Sequence, residues 1–356
     1  MEDPRCNTRN QVDYSLNEML FLVISAVISG MTEWKQIALF GEKKLDWLRK
    51  FFPYENGTPC STTIGRLFAQ LDHQAFGQYF IEWVATLSEL TKGEIVAIDG
   101  KTMRGSANPD DNKLAIHVVS AFVCHQSICL GQVATDQKSN EITAIPKLLD
   151  LLTLQGCTVT IDAMGCQKEI SKKILEKKAD YLLQVKKNQK GLLEQIEKVF
   201  QITAIVSSDT DNHVDHGRIE QRVCEVITDL THLDGYQNWP GIESVIRLSA
   251  VRIDKKTGKV KKNIRYYISN KSDHAQVFNQ DIRAHWGIEN KLHWSLDVSF
   301  KEDSSKKRKG NSAENMGLFS KIALQMVVKK NEKLSKKNKM LNALLDDHYR
   351  EMLLEI

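Results

Sequence analysis

The sequence lacks the cysteine spacings that mark disulfide scaffolds and zinc ribbons. Its seven cysteines are scattered singly and no C-x-x-C occurs, so we expect free thiols in a reducing cytoplasm. A long apolar run is also missing. The longest, Met19–Met31, has about 13 residues and is too short to span a bilayer. We interpret it as a buried helix and expect neither a signal peptide nor contact with a membrane.

Net charge is small, at +4 for 356 residues, but its distribution along the chain is uneven. Residues 301–340 contain twelve Lys or Arg and four Asp or Glu, which leaves the rest of the chain slightly acidic. Such asymmetry is typical of a region that faces a polyanion, with a solvated Lys-rich tail as the alternative. The length favours two domains, or one large domain with an appendage.

The two ends of the chain are predicted to be helical. In residues 1–92, apolar positions such as Ile37, Phe40, Leu45 and Leu48 recur at helical spacing, which indicates an all-helical N-terminal domain. A helix, a tight turn and a short helix follow one another there. This order is similar to a helix-turn-helix that binds DNA ends, and simple helical packing is the alternative. Residues 331–356 are predicted to be a Lys-rich linker and a C-terminal helix.

From residue 93 the pattern changes to short strands and helices, and we predict an α/β catalytic domain over residues 93–330. The apolar strand Ile95–Ile98 leads to Asp99, and the strand in "CTVTID" leads to Asp162. A hairpin and a helix separate these strands, so they are expected to be parallel. Both carboxylates then lie at one sheet edge, where open α/β sheets place their sites. Residues 188–270 are predicted to be a β-rich insertion.

Two acids at neighbouring strand ends suggest a metal site, because carboxylates brought close together repel unless a cation neutralises them. Carboxylate oxygens suit Mg²⁺, with Mn²⁺ as a possible substitute, and two ions per site can support phosphodiester displacement. The alternative is that each Asp only caps a loop or helix. The best third ligand is Glu289, an acid on an aromatic-rich, largely apolar helix. Asp297, Glu302 and Asp303 are the fallback candidates.

The same helix offers a rival metal site. His285, Glu289 and His293 are spaced i, i+4, i+8, which would place them on one helical face as zinc ligands. This spacing is not the H-E-x-x-H pattern, and it leaves Asp99 and Asp162 unexplained.

Basic residues surround the predicted acidic site in sequence. We expect them to contact DNA phosphates, which supply most sequence-independent affinity for DNA. Four follow strand ends at the predicted active edge, and four come soon after the Glu289 helix. They are Lys101, Arg104, Lys186 and Lys187, and then Lys306, Lys307, Arg308 and Lys309. Gly100 is expected to let the backbone turn close to the site.

Several motifs together resemble one known family, the bacterial H-repeat-associated transposases, which are insertion-sequence proteins of the DDE class. They are "AIDGKTMRGS", "NEITAIPKLLDLL", "TIDAMGCQ", "DHGRIEQR" and "RAHWGIENKLHWSLDVSFKED", with "EDPR" and "EWKQIALFGEKKLDWLRKFF" near the N-terminus. The resemblance spans nearly the whole chain. It implies a ribonuclease-H-like catalytic core with a β-rich insertion, preceded by a helical domain. It also implies Asp99, Asp162 and Glu289 as the DDE triad.

For activity, the resemblance implies a DNA transposase of the bacterial cytoplasm, associated with the nucleoid when it binds DNA. Hydrolysis that depends on Mg²⁺ would cut transposon ends, and the freed 3′-hydroxyl would attack target DNA. Pairing two ends implies a dimer or a higher assembly on DNA. Related transposases carry a tyrosine, arginine, glutamate and lysine signature, but here Ile282, His285 and Leu296 replace all but the glutamate. His285 and His293 would take over phosphate contact.

Two other functions stay open from the sequence. A decayed or domesticated copy would bind DNA without catalysis, and it would bind equally well with Mg²⁺ or with a chelator. A metal-dependent nuclease would cut DNA but never join it.

Overall fold

A computed structural model describes residues 3, 13–87, 92–109, 112–135, 141–215 and 217–355. Apart from Asp3, the "EDPR" motif lies outside these residues. The fold is mixed α/β, with a large sheet and a helical region at the N-terminus. Within the described ranges, no helix combines the length and apolar character needed to cross a membrane.

Five helices form the N-terminal region between residues 13 and 87: α1 (Leu16–Ile28), α2 (Trp34–Lys43), α3 (Leu45–Leu48), α4 (Ser61–Gln70) and α5 (His73–Leu87). Most of the apolar run noted above lies in α1, and the face that contains Met19, Leu22, Val23 and Ala26 is buried, as predicted. Helix α1 begins with a capping box, in which Ser15 accepts from the backbone N–H of Glu18 and Glu18 accepts from that of Ser15. This exchange satisfies two donors that a helix start otherwise leaves unpaired.

In the described residues, nine strands form one sheet in the order β3-β2-β1-β4-β5-β9-β8-β7-β6. Its first half comprises β1 (Ile95–Met103), β2 (Ile116–Val123), β3 (Ile128–Ala134), β4 (Thr158–Ile161) and β5 (Asp180–Val185). Helix α6 (Glu141–Leu151) connects β3 to β4, and α7 (Lys168–Glu176) connects β4 to β5. Strands β1 and β4 are parallel, as predicted, with Ile95 to Ile98 opposite Thr158 to Ile161.

The strand that carries Asp99 is longer than its apolar run predicts. Beyond Ile98, β1 leaves β4 but stays paired with antiparallel β2 as far as Met103, which lies opposite Ile116. Asp99 is therefore mid-strand, one residue past the end of the parallel pairing. The expected turn at Gly100 is wrong, because continued pairing with β2 keeps this residue extended.

The predicted β-rich insertion begins with a helix, α8 (Lys190–Ile202), and continues as four antiparallel strands. They are β6 (Ser207–Asp215), β7 (Arg218–Ile227), β8 (Ser244–Asp254) and β9 (Val260–Ser269). Strand β9 pairs with β5, so the insertion extends the central sheet.

The last part of the chain is helical: α9 (Ala275–His285), a π-helical segment (Ile288–His293), α10 (Trp294–Val298), α11 (Ser312–Lys329), α12 (Lys336–Leu345) and α13 (Asp347–Leu354). Residues 331–356, expected as a linker and one helix, thus contain two helices. Helix α11 is buried on nearly every side and packs against α1, α4 and α5. Its Asn315 donates to the carbonyls of Phe68 and Leu71, so one apolar core joins the N-terminal helices to the sheet.

Candidate functional site

The sheet brings Asp99 and Asp162 to neighbouring strands at the same level. Asp162 follows Ile161, the last residue of β4, and Ile161 lies opposite Ile98. One Asp162 oxygen accepts a hydrogen bond from the Met164 backbone N–H at 2.8 Å, which caps a short 3₁₀ turn. The cap fixes this carboxylate while its other oxygen stays available for a ligand.

Glu289 joins the two aspartates from the helical side. It lies in the π-helical segment, where the sequence predicted continuous α-helix. Glu289, Asp99 and Asp162 line one cavity of about 110 Å³, together with Thr160, Gln184, Lys186 and His285. The three acids singled out by the sequence therefore border a common space. Single π-helical turns inside α-helices recur at functional sites.

The electrostatics of this cavity disfavour uncompensated negative charge. Burial is the main reason why the pKa of Asp99 is raised to about 7. A hydrogen bond from the Gly100 backbone opposes this rise, and the nearby carboxylates of Glu141, Asp162 and Glu289 add to it. The pKa of Glu289 is also raised, by burial and by Asp162, while Arg265 opposes the change. A cation among these oxygens would relieve the repulsion.

The donor set fits a hard divalent cation. All three donors are carboxylates, which suit Mg²⁺ or Mn²⁺ better than softer metals. In the part of the chain that the structure describes, no three His, Cys, Asp or Glu side chains lie close enough together to hold a metal ion. Binding would therefore draw the carboxylates closer together around the ion.

Two histidines flank Glu289, with His285 at the end of α9 and His293 at the end of the π-helical segment, and the pKa of each is lowered. Burial is the main cause, and it lowers the pKa of His285 to about 4 and that of His293 to about 3. The Nδ1 of His285 lies 2.9 Å from the Thr160 hydroxyl, and the Nδ1 of His293 lies 3.6 Å from an Asp99 oxygen. Each ring is thus directed to a different neighbour. Their predicted phosphate contacts would be hydrogen bonds from a neutral imidazole to an anionic phosphate.

The fallback acids form a separate cluster around Lys101. The Lys101 ammonium lies 2.7 Å from Asp297, 2.8 Å from Glu302 and 3.0 Å from Asp303. Although burial lowers the pKa of Lys101, these carboxylates outweigh it and raise the pKa overall. This engagement favours Glu289 as the third acid of the site. It also means that a phosphate contact by Lys101 would compete with three carboxylates.

The other predicted DNA contacts differ in exposure. Arg104, Lys186, Lys187, Lys306 and Lys309 are exposed, and Lys186 lines the acidic cavity.

Lys307 is buried instead. Its ammonium lies 3.5 Å from Glu33 and 4.8 Å from the centre of the Trp34 ring, and burial lowers its pKa. Arg308 donates to the Gly105 carbonyl at 3.3 Å. These two side chains connect the segment after α10 to other parts of the fold, so phosphate contact would require them to leave those partners.

Comparison with known proteins places the chain in a family. The sequence model described as "Transposase DDE domain" matches residues 90–326, and one described as "DDE_Tnp_1-associated" matches residues 1–84. The chain belongs to the DDE transposase family. It is 44% identical over 331 residues to "Putative transposase YncI" of Escherichia coli O157:H7, covering 91% of this chain and 85% of that protein.

A second relative confirms the H-repeat-associated resemblance. "H repeat-associated putative transposase YhhI" of Escherichia coli (strain K12) is 38% identical over 351 residues, covering 95% of this chain and 92% of that protein. The structure titled "Cryo-EM structure of piggyBac transposase synaptic complex with hairpin DNA (SNHP)" aligns with 99% of this chain and 77% of its own. Its TM-score is 0.45 at 12% identity, too low to support an inference.

Within this DDE transposase, the departures from the related signature have a structural basis. Ile282 and Leu296 are buried in apolar clusters, so the positions of the signature tyrosine and lysine face the core. A cation reaches Glu289 from another element instead. Arg265 of β9 lies 4.9 Å from the centre of the Trp286 ring, and its charge opposes the rise that burial causes in the pKa of Glu289.

The motifs did not reveal a histidine–glutamate pair beside β1. The Nε2 of His117 lies 2.7 Å from a Glu141 oxygen, and its Nδ1 lies 2.9 Å from the Thr102 hydroxyl. A Cβ at Gly100 would come within 2.2 Å of His117 and 2.3 Å of Glu141, so any larger residue would have to displace the ends of these two side chains. The available signal was a glycine in the middle of a strand next to the site acid.

Proposed function

We propose that this chain is an Mg²⁺-dependent DNA transposase that hydrolyses phosphodiester bonds at transposon ends and joins the freed 3′-hydroxyl to target DNA. The observation that carries the proposal is the meeting of Asp99, Asp162 and Glu289 around one cavity in a member of the DDE transposase family. We assign these three residues as the catalytic and metal-binding triad, and we expect them to bind two ions in the manner of two-metal sites.

The strand arrangement supports a ribonuclease-H-like core. Strands β1, β2 and β3 form an antiparallel meander, and β4 and β5 add in parallel on the other side of β1. In this proposal, residues 93–330 are the catalytic domain and the insertion at about 188–270 is an arm of its sheet. Residues 1–92 bind DNA ends, and residues 331–356 complete the helical side.

The residues of the site would act mainly by position and charge. Asp99, Asp162 and Glu289 would bind the metal through oxygen, and bound Mg²⁺ would neutralise phosphate charge and activate the attacking water or hydroxyl. The Asp162 cap and the π-helical segment keep two of the carboxylates in fixed orientations. His285 and His293, neutral and buried, exclude water around them and leave net negative charge for the cation.

The partner in this proposal is DNA, bound by the exposed basic residues near the cavity. Lys186 is the best placed of these, because it lines the acidic cavity itself. Two transposon ends must be paired for transposition, so we expect a dimer or larger assembly on DNA, in the bacterial cytoplasm at the nucleoid.

The test is cleavage of a plasmid that carries the element with its own flanking DNA. We expect nicks at the element ends with Mg²⁺ and none with a chelator. Asp99→Asn should abolish them while DNA binding persists, and the exposed Asp46→Asn should cut like the wild type. Nicking by Asp99→Asn would overturn the assignment.

Joining is tested separately with ends that are already cut. Transfer of these ends to a second plasmid supports transposition. Cutting without transfer would identify a nuclease, and binding without cutting would identify a DNA-binding protein that has lost catalysis.

A further inference from the structure

A large groove lies beside α9, outside the acidic cavity. It has a volume of about 1150 Å³ and is bordered by β7, β8 and β9 on one side and by α9 and the π-helical segment on the other. Trp286 and Glu289 line both the groove and the acidic cavity. The groove therefore opens directly onto the proposed catalytic acid.

The alternation of side chains along the strands explains the chemistry of the groove wall. In β7, Cys224 and Val226 face α9 and pack with Phe278 and Ile282. Positions two and four residues before Cys224 lie on the same face of the strand. They are Arg222 and Glu220, and they line the groove. The face that is apolar beneath α9 thus becomes charged toward the outer end of the strand, where Arg222 is still buried against the helix and Glu220 lies beyond it along the strand.

The neighbouring strands repeat this change. Arg252 of β8 lies opposite Glu220, and Arg265 of β9 lies opposite Leu248. Cations outnumber acids along this wall and the helix that faces it, where the two acids are Glu220 and Glu289. The cations are Arg218, Arg222, Arg252, Arg265, Arg283 and Lys291.

Some of these cations are engaged within the fold. Arg252 lies 2.9 Å from Glu220, Arg283 lies 2.8 Å from Asp211, and Arg222 donates to the Asn279 carbonyl. Arg218 is exposed at the outer end of β7. Arg265 stacks over Trp286 at the inner end, next to Glu289. These two arginines mark the outer and inner ends of one path that leads to the acid.

We infer that this groove binds the sugar-phosphate backbone of DNA next to the bond that is cut, with Arg218 and Arg265 as phosphate contacts. The inference rests on the proposed function, which supplies the DNA substrate. The charge of the wall complements a polyanion, and guanidinium groups suit phosphate oxygens. Since Arg265 is next to Glu289, a phosphate bound there lies beside the catalytic cavity. The β-rich insertion is thereby assigned a role as a DNA-binding surface.

The test is the salt dependence of DNA binding by the full chain. The probe is a short fluorescent duplex of random sequence, because phosphate contacts need no particular sequence. The logarithm of the DNA affinity falls linearly with the logarithm of the salt concentration, and each lost phosphate contact reduces the magnitude of this slope by about 0.9. We therefore expect Arg218→Gln/Arg265→Gln to lower the slope by about 2. Arg218→Lys/Arg265→Lys keeps both charges and should keep the slope.

The matched control is Lys262→Gln. Lys262 is exposed on β9, but it is three residues from Arg265 and so lies on the opposite face of the sheet. Its loss should leave the slope unchanged.

An unchanged slope in the double Gln variant, with wild-type thermal stability, would overturn the inference. An equal loss of slope in Lys262→Gln would also overturn it. A wild-type protein that cuts plasmid ends while the double Gln variant keeps its slope would refute only the groove assignment. A wild-type protein that never cuts would refute the proposed function.

Discussion

Replacing Asp99 with asparagine should stabilise the protein at alkaline pH in the absence of metal. The Asp99 carboxyl has a pKa of about 7 in the fold, against an ordinary value of 3.8. Between these two pH values the folded protein binds more protons at this site than the unfolded chain does. The free energy of unfolding therefore falls as pH rises through this window.

The size of the effect follows from the shift. Each tenfold change in acid dissociation corresponds to about 1.4 kcal/mol, so a pKa of about 7 in place of 3.8 represents roughly 4 kcal/mol. The side chain is 19% exposed, so screening by solvent is limited. Asparagine cannot ionise and avoids this cost. Asp99→Asn should match the wild type near pH 4 and exceed it by up to about 4 kcal/mol above pH 7.

The assay is denaturant unfolding of both proteins across this pH range, with a chelator present. The difference in the free energy of unfolding between the two proteins isolates Asp99 from other titrating groups. Identical pH profiles, or a variant that is less stable at alkaline pH, would refute the reasoning.

Mg²⁺ should narrow this difference. A ligand at about one hundred times its Kd adds about 2.7 kcal/mol to the protein that binds it. The wild type should gain this stabilisation and Asp99→Asn should not.

Three further substitutions test other parts of the site. His285→Gln should be less sensitive to acid than the wild type. As pH falls from about 6.5 to 4, the free energy of unfolding of the wild type should fall by about 3 kcal/mol more than that of the variant, because the buried imidazole is neutral in the fold and protonates on unfolding. Equal acid sensitivity of the two proteins in urea unfolding would contradict this. Gly100→Ala should lower the free energy of unfolding by about 1–3 kcal/mol, because the new methyl group displaces the His117–Glu141 pair. A Cβ at Gly191 meets nothing within 4 Å, so Gly191→Ala should be neutral or stabilising in the same measurement. Lys101→Met should lower the free energy of unfolding by about 3–5 kcal/mol, because it leaves three neighbouring carboxylates without their cation. A loss below about 1 kcal/mol would mean that the cluster is already solvated.

The sequence was sufficient to predict where the first two acids lie. A short apolar strand before each acid and a helical crossover between them require parallel neighbours, and the register of β1 and β4 confirms it. The full length of β1 could not be predicted, because residues 99–103 are extended through pairing with β2 rather than through their own apolar character. Local pattern cannot show such a partner.

Other features depended on distant contacts. The spacing of His285, Glu289 and His293 predicted one helical face, but the π-helical segment follows from packing that periodicity does not encode. Lys101 was predicted to face phosphate because it follows the site acid, and its three acidic partners come from a segment about 200 residues away. The arginines of the groove were visible in the sequence. Which face of their strands stays open became clear only from the placement of α9.

The π-helical segment also affects how the site tolerates insertions and deletions. A π-helical turn closes hydrogen bonds from i to i+5 and so contains one residue more than an α-helical turn between the same ends. Removing one residue between Trp286 and Glu289 would restore α-helical phase and rotate the glutamate by roughly 100° relative to α9. Substitutions on the outer side of this segment leave that phase intact. A frame-preserving deletion of one codon would instead turn the third acid away from the aspartates, together with the buried Leu292 of the same segment.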